Sequence, residues 1–294
     1  MKHSIREVDH DRGIIQITTA DERWYSRLIC ERTVMEYVPS VTWIGDYYPK
    51  GVGFYKWLAS KSWDEAEAIK ATAGDKGSKV HQAISLLISG GTVNMNDAFE
   101  NPRSLDLEPL TPGEYECLMS FVDWFVEVKP EVIANEYTVW NERYNYAGTV
   151  DLKCRIDGKI WLIDFKTSAD IWPTFELQVS AYKHAHPEPE RNGMKLGILQ
   201  VGYRRNKTKK WKFTPVADQF PLFLAARKIW AKETAGQKPL QRDYPLSLSL
   251  GSLVVGAPPT EPIQISQLSQ EFRMSSAGVV YASQLMERIG RGHV

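Results

Sequence analysis

The sequence predicts an α/β fold, a mixed central sheet flanked by helices in the order helix, three strands, helix, strand (αβββαβ). Three observations carry this reading. The stretch YAGTVDLKCRIDGKIWLIDFKTS contains two β-rich runs parted by Asp157-Gly158, a strong two-residue hairpin signal. Upstream, Tyr115, Leu118, Met119, Val122, Phe125 and Val126 recur at helical spacing and mark a core helix ending near Pro130. Downstream, a helical segment over 174–185 separates the hairpin from a further β-rich run at 196–204.

Taken in order, the chain opens with an aromatic-rich segment in which Trp43, Tyr47, Tyr48, Tyr55, Trp57 and Trp63 crowd together. Most of these suit a core, and exposed ones could stack on unpaired bases. The run SWDEAEAIKAT (62–72) has helix-forming composition, and Gly74-Asp75-Lys76-Gly77 predicts a break before a second helix from Ser78. Strands are expected at 133–140, 146–156, 159–166 and 196–204. Residues 1–235 thus form one domain. From 236 to 294 the text turns rich in Ser, Pro and Gly, with a short helix near 276–289, and reads as a tail that could recruit a protein partner.

Composition bounds the function without naming it. Apolar content of 43% supports a good-sized core. No apolar run is long enough to span a bilayer and the N-terminus lacks a signal-peptide core, so a cytoplasmic protein without membrane contact is expected. Cys30, Cys117 and Cys154 are too few and too scattered for a disulfide framework or a cysteine-ligated cluster. Thirty-six basic residues balance thirty-six acidic ones, so attraction to nucleic acid would have to come from local patches.

The hairpin carries the chemistry. In a two-residue turn, opposed residues have numbers with a constant sum, here that of 157 and 158, which is 315. Asp151 then faces Asp164. Val150, Leu152, Cys154 and Ile156 share the core face with Trp161, Ile163 and Phe165, while Asp151, Asp164 and Lys166 project from the other. Like charges that close repel unless a cation lies between them, and a divalent ion such as Mg²⁺ or Mn²⁺ suits a carboxylate pair. A solvated strand face, with Asp151 compensated by Lys153 or Lys166, fits the spacing equally well.

The segments Gly148-Thr149-Val150-Asp151 and Asp164-Phe165-Lys166, followed by Gln178 and Tyr182, resemble the RecB-like branch of the PD-(D/E)XK nucleases, written there G-x-x-D, D-x-K and Q-x-x-x-Y. Pro39-Ser40-Val41-Thr42 and Gly77-Ser78-Lys79-Val80-His81 are similar to the mitochondrial genome maintenance exonucleases, so the resemblance covers about residues 39–204. Val150 stands where the superfamily name has proline, and the four cysteines of the iron–sulfur relatives are missing. The resemblance implies a restriction-endonuclease-like core and metal-dependent cleavage of DNA. It further implies Asp151, Asp164, the Phe165 carbonyl and His81 as metal ligands, Lys166 as the group that orients water or steadies phosphate charge, and a helix face bearing Gln178 and Tyr182 beside the site. Glu136 is a weaker candidate, for the site or for a structural salt bridge.

A basic cluster of Arg204, Arg205, Lys207, Lys209, Lys210 and Lys212 could neutralise several phosphates, or could simply be a solvated turn. The resulting expectation is a DNA exonuclease acting on single strands or frayed ends in replication, recombination or repair. An endonuclease of the same fold and a catalytically inactive DNA-binding module are the alternatives. A small-molecule-binding α/β protein is disfavoured, because neither a glycine-rich phosphate loop nor a nucleophile elbow appears.

Overall fold

The computed structural model describes residues 4–18, 22–29, 34–101, 106–205 and 208–234. Cys30, Lys207 and the expected tail over 236–294 lie outside them.

Four strands, β1 (Ser4–Asp9), β2 (Ile14–Thr18), β3 (Arg23–Ile29) and β4 (Val34–Pro39), form an antiparallel meander in sequence order. The sequence reading assigns no strand to this stretch, and its aromatic-rich segment, Trp43 to Trp63, begins after it. The meander buries Ile14, Tyr25 and Val38 against Trp140 and Ala147 of the main sheet, and the Tyr25 hydroxyl lies 3.0 Å from Thr149 Oγ1.

Three helices follow: α1 (Val41–Asp46), α2 (Val52–Ala59) and α3 (Trp63–Ile88). The side chains of Ser40 and Ser62 cap α1 and α3 by accepting from the backbone N–H groups of Trp43 and Glu65. The expected break at residues 74–77 does not occur, and α3 runs through both glycines. An interior glycine costs only about 1 kcal/mol relative to alanine, and the segment holds no proline. The second half of α3 is anchored by the fully buried Val80, Ala83 and Ile84.

A small pair, β5 (Ala98–Glu100) and β6 (Leu107–Pro109), leads into α4 (Pro112–Val128). Thr111 and Glu114 close a capping box at its start, and Lys129 ends it in the left-handed region at φ 49°. Its buried face differs from the expected one. Cys117, Leu118, Phe121 and Trp124 point inward, whereas Met119, Val122 and Val126 are 58%, 42% and 63% exposed. Apolar residues surround much of this helix, so periodicity could not choose the face. The bulk of Phe121 and Trp124 did.

The main sheet comprises β7 (Glu131–Asn141), β8 (Tyr146–Ile156), β9 (Lys159–Lys166), β10 (Lys195–Val201) and β11 (Trp211–Val216), in the order β11-β10-β9-β8-β7. β7, β8 and β9 are antiparallel, β10 runs parallel to β9, and β11 closes the edge antiparallel. Between β9 and β10 lie α5 (Pro173–His184) and α6 (Glu188–Arg191); α7 (Phe220–Glu233) follows β11. One face of the sheet packs with α1, α5 and α7 through Val41, Tyr182 and Phe223. The other packs with α3 and α4 through Ile84, Phe121 and Phe165. A mixed α/β architecture is therefore present, with helices on both faces.

Asp157 and Gly158 adopt φ 49° and 74°, as their hairpin turn requires. From Ile156↔Lys159 to Leu152↔Ile163 each pair of residue numbers sums to 315, the expected register. Two glycines in this frame make opposite demands. Gly74 has nothing within 4 Å of an added Cβ, so Gly74→Ala is expected to stabilise the protein by about 0.5–1 kcal/mol. A Cβ on Gly148 would lie 2.5 Å from Tyr182 Cε1, so Gly148→Ala is expected to cost about 1–3 kcal/mol. Urea unfolding checks both; a Gly148→Ala protein as stable as the parent would mean that α5 does not press on β8.

Candidate active site

The site forms where the pleat of β8 is interrupted. Val150 belongs to the α5 side of the core with Leu162 and Tyr182, whereas Leu152 belongs to the α3/α4 side with Ile163 and Phe165. Two even-numbered residues of one strand thus face opposite ways. The expectation that Val150 shares the face of Leu152 is corrected: the alternation slips at Asp151. Opposite it on β7, Asn135 pairs with Leu152 and Tyr137 with Val150, while Glu136 is skipped by the ladder and takes φ 48°. A left-handed backbone costs a residue other than glycine roughly 1–2 kcal/mol. The surroundings hold Glu136 there.

The ladder between β8 and β9 also stops one pair early, so Asp151 and Asp164 are not a ladder pair, contrary to the expected direct opposition. Asp151 Oδ2 instead accepts from the Phe165 N–H at 2.7 Å, which fixes the carboxylate at the fork between the strands. His81, on α3, reaches the same fork. Its Nε2 donates to the Phe165 carbonyl at 2.9 Å, and its Nδ1 lies 3.4 Å from Asp151 Oδ1. Ligand atoms of His81, Glu136 and Asp151 all lie within 4.8 Å of one another.

The remaining site residues form a second row. Lys166 Nζ lies 2.6 Å from Asp164 Oδ2 and donates to Gln178 Oε1 at 3.2 Å; Gln178 Nε2 in turn donates to the Tyr182 hydroxyl at 2.8 Å. Neither oxygen of the buried Asp164 accepts a hydrogen bond of ordinary geometry. Of the expected metal ligands, His81 and Asp151 therefore converge. Asp164 is turned to Lys166, and the Phe165 carbonyl is occupied by His81. Glu136, rated lower from sequence, joins the cluster. The register of β7 against β8 was the signal that could have raised it, because it puts Glu136 opposite Asp151.

Crowding of acids shows in their proton affinities. Burial and then the Asp151 charge push Glu136 up to about 8, and burial, with a smaller push from Asp151, raises Asp164 to about 6 despite Lys166. Burial works against a charged His81, but Asp151 and then Glu136 outweigh it and lift His81 to about 9. Burial likewise opposes ionisation of Asp151, and the His81 and Lys166 charges with the Phe165 N–H prevail, holding it below the usual carboxylate range. Protons on His81 and Glu136 thus offset the charge of Asp151.

The basic cluster is largely compensated. Arg205 makes a two-point ion pair with Asp170 at 2.5 and 2.8 Å, Lys209 pairs with Glu127, and Arg204 lies 3.7 Å from Glu116. Lys210 is exposed and its carbonyl accepts from the Tyr203 N–H. Lys212 lies over the Tyr203 ring. These residues follow β10, whose Gln200 pairs with Lys166, so they lie at the sheet end that carries Lys166. Among the described residues, no helix is long and apolar enough to cross a membrane. No protein-family model matches the chain, and no curated protein matches it either.

Proton linkage gives a direct expectation. His81, Glu136 and Asp164 have folded-state values above their ordinary 6.5, 4.5 and 3.8. Each therefore contributes stability that is complete below the ordinary value and lost as pH rises through the raised one. Asp151, lowered, acts in reverse and loses its contribution only in acid. In EDTA, Tm is expected to fall as pH climbs from about 6.5 to about 9. A cation replacing those protons should raise Tm more at pH about 8 than at pH about 6, by scanning fluorimetry with Mn²⁺. Equal shifts at both values would contradict a shared proton and metal site.

Proposed function

We propose that this chain is a divalent-metal-dependent DNA nuclease, an exonuclease hydrolysing phosphodiester bonds of single-stranded or frayed ends. The observation that carries the reading is the meeting of His81, Glu136 and Asp151 at the β8/β9 fork, beside Lys166 held by Gln178. The donor set fits a hard cation: two carboxylates and one imidazole, with no thiolate among them. Two acids side by side in the fork also meet compensating charge only from a protonated His81 or from Lys166.

His81, Glu136 and Asp151 would hold Mg²⁺ or Mn²⁺, with Asp164 the adjacent carboxylate on β9. Such an ion supplies Lewis-acid polarisation of a phosphodiester and lowers the pKa of water beside it. The chain's own groups do the positioning. Lys166 presents an ammonium at the mouth of the fork, where it can orient an attacking water or offset charge growing on the phosphate. Gln178 fixes the ammonium and Tyr182 fixes Gln178, so α5 sets its direction. Phe165 uses both backbone groups to aim Asp151 and His81.

The test is incubation of the purified protein with 5′- and 3′-labelled single and double strands in Mg²⁺, Mn²⁺ or EDTA. Metal-dependent release of short products from single strands is expected; internal cuts would point to an endonuclease, and binding without cleavage to an inactive module. Asp164→Asn is expected to reduce cleavage about 100-fold or more while folding is kept, because burial already disfavours the charged carboxylate. Full metal-dependent activity in that variant would remove Asp164 from the site.

A further inference from the structure

We propose that α2 and the first turn of α3 form a stacking platform for unpaired bases, which grips a single strand upstream of the fork. The identity of the ligand as nucleic acid rests on the nuclease reading. Helix α2 has the sequence VGFYKWLA and not one of its residues is buried. Six of its eight residues carry apolar side chains, and none of them belongs to a core cluster among the described residues. Tyr55 is 57% exposed and Trp63, opening α3, is 68% exposed; within α2 the Phe54 ring lies 5.6 Å from that of Tyr55 and 5.9 Å from that of Trp57.

The character of the patch selects the occupant. It is aromatic, and flat π-faces stack on any base without regard to sequence. Of its three lysines, Lys50 pairs with Asp46 and Lys61 with Glu65 at 3.6 and 2.7 Å, which leaves Lys56 as its uncompensated cation among the described residues. Lys56, exposed, stands between Tyr55 and Trp57 in the sequence. A phosphodiester strand brings bases to the rings and an opposite charge to Lys56. In a duplex the base faces are already stacked, so a single strand is the form that fits.

Continuity with the fork fixes the spacing. The unbroken α3 carries Trp63 at one end and His81 eighteen residues on, about 27 Å at 1.5 Å per residue. At the 3.4 Å spacing of stacked nucleotides, roughly eight of them bridge that distance. Strands shorter than this can reach the fork or the platform, not both.

The experiment measures binding in EDTA, by fluorescence anisotropy of labelled oligo(dT) of 4 and 16 nucleotides and of a blunt 16-base-pair duplex. The variant is Tyr55→Ala/Trp57→Ala/Trp63→Ala, all exposed positions, with circular dichroism confirming the fold. The variant is expected to bind the 16-mer at least about tenfold more weakly, with the duplex unchanged and the wild-type preference for the 16-mer over the 4-mer lost. Wild-type affinity for the 16-mer in the variant would overturn the platform, and continued metal-dependent cleavage by wild type would then leave the nuclease reading standing. Aromatic-dependent binding of the 16-mer with no cleavage in any metal would keep the platform and sink the nuclease reading. A wild-type dimer that becomes monomeric in the variant, with DNA binding unaltered, would reassign the patch to self-association.

Discussion

Where β8 and β9 part, a carboxylate takes the place of the next ladder partner. Asp151 accepts the Phe165 N–H, so the backbone group that the fork would leave unpaired is satisfied by a side chain. This bond opens the sheet without an orphan donor, turns Asp151 out of the strand's alternation, and leaves the Phe165 carbonyl to His81. Glu136, in its left-handed conformation, is the matching irregularity on β7. Strain of this kind persists where surrounding packing over-determines it.

The rest of the fold braces that fork from both faces. On one side α3 rests on Val80, Ala83 and Ile84, which fixes the height of His81. On the other, the Tyr182 ring crosses Gly148 closely enough to exclude a methyl group, so α5 sits tight on β8 and its Gln178 meets Lys166. The N-terminal meander joins through the Ser40↔Ala147 bridge and the Tyr25–Thr149 contact, just before the point where β8 breaks its pleat. Preorganisation here comes from two packed helices and a third sheet contact, not from the site residues alone.

Much of this was legible in the sequence because its signals are local. Asp157-Gly158 dictates a turn, and the turn dictates register for five successive pairs; the strands β7 to β10 and helix α5 followed from short-range patterning. What escaped depends on contacts between distant segments. The slip at Asp151 needs Glu136 across the sheet, and the inward face of α4 is chosen by what Trp124 and Phe121 meet, not by the apolar count. Gly74 and Gly77 read as a break because propensity is summed locally, while the anchor of α3 lies in its later turns. The strands of the meander interleave polar residues such as Arg6, Gln16 and Arg27 with apolar ones over five to seven positions, too short a pattern to stand out beside the aromatic residues that follow.

The central claim is that the fork is built for a divalent cation. It is tested most directly by soaking crystals of the protein in Mn²⁺ and recording anomalous diffraction. The account requires an anomalous peak bounded by the Asp151 carboxylate, His81 Nδ1 and the Glu136 carboxylate, with His81 still donating to the Phe165 carbonyl. An ordered site with those three side chains in place and no peak among them, or a peak only elsewhere on the molecule, would contradict it.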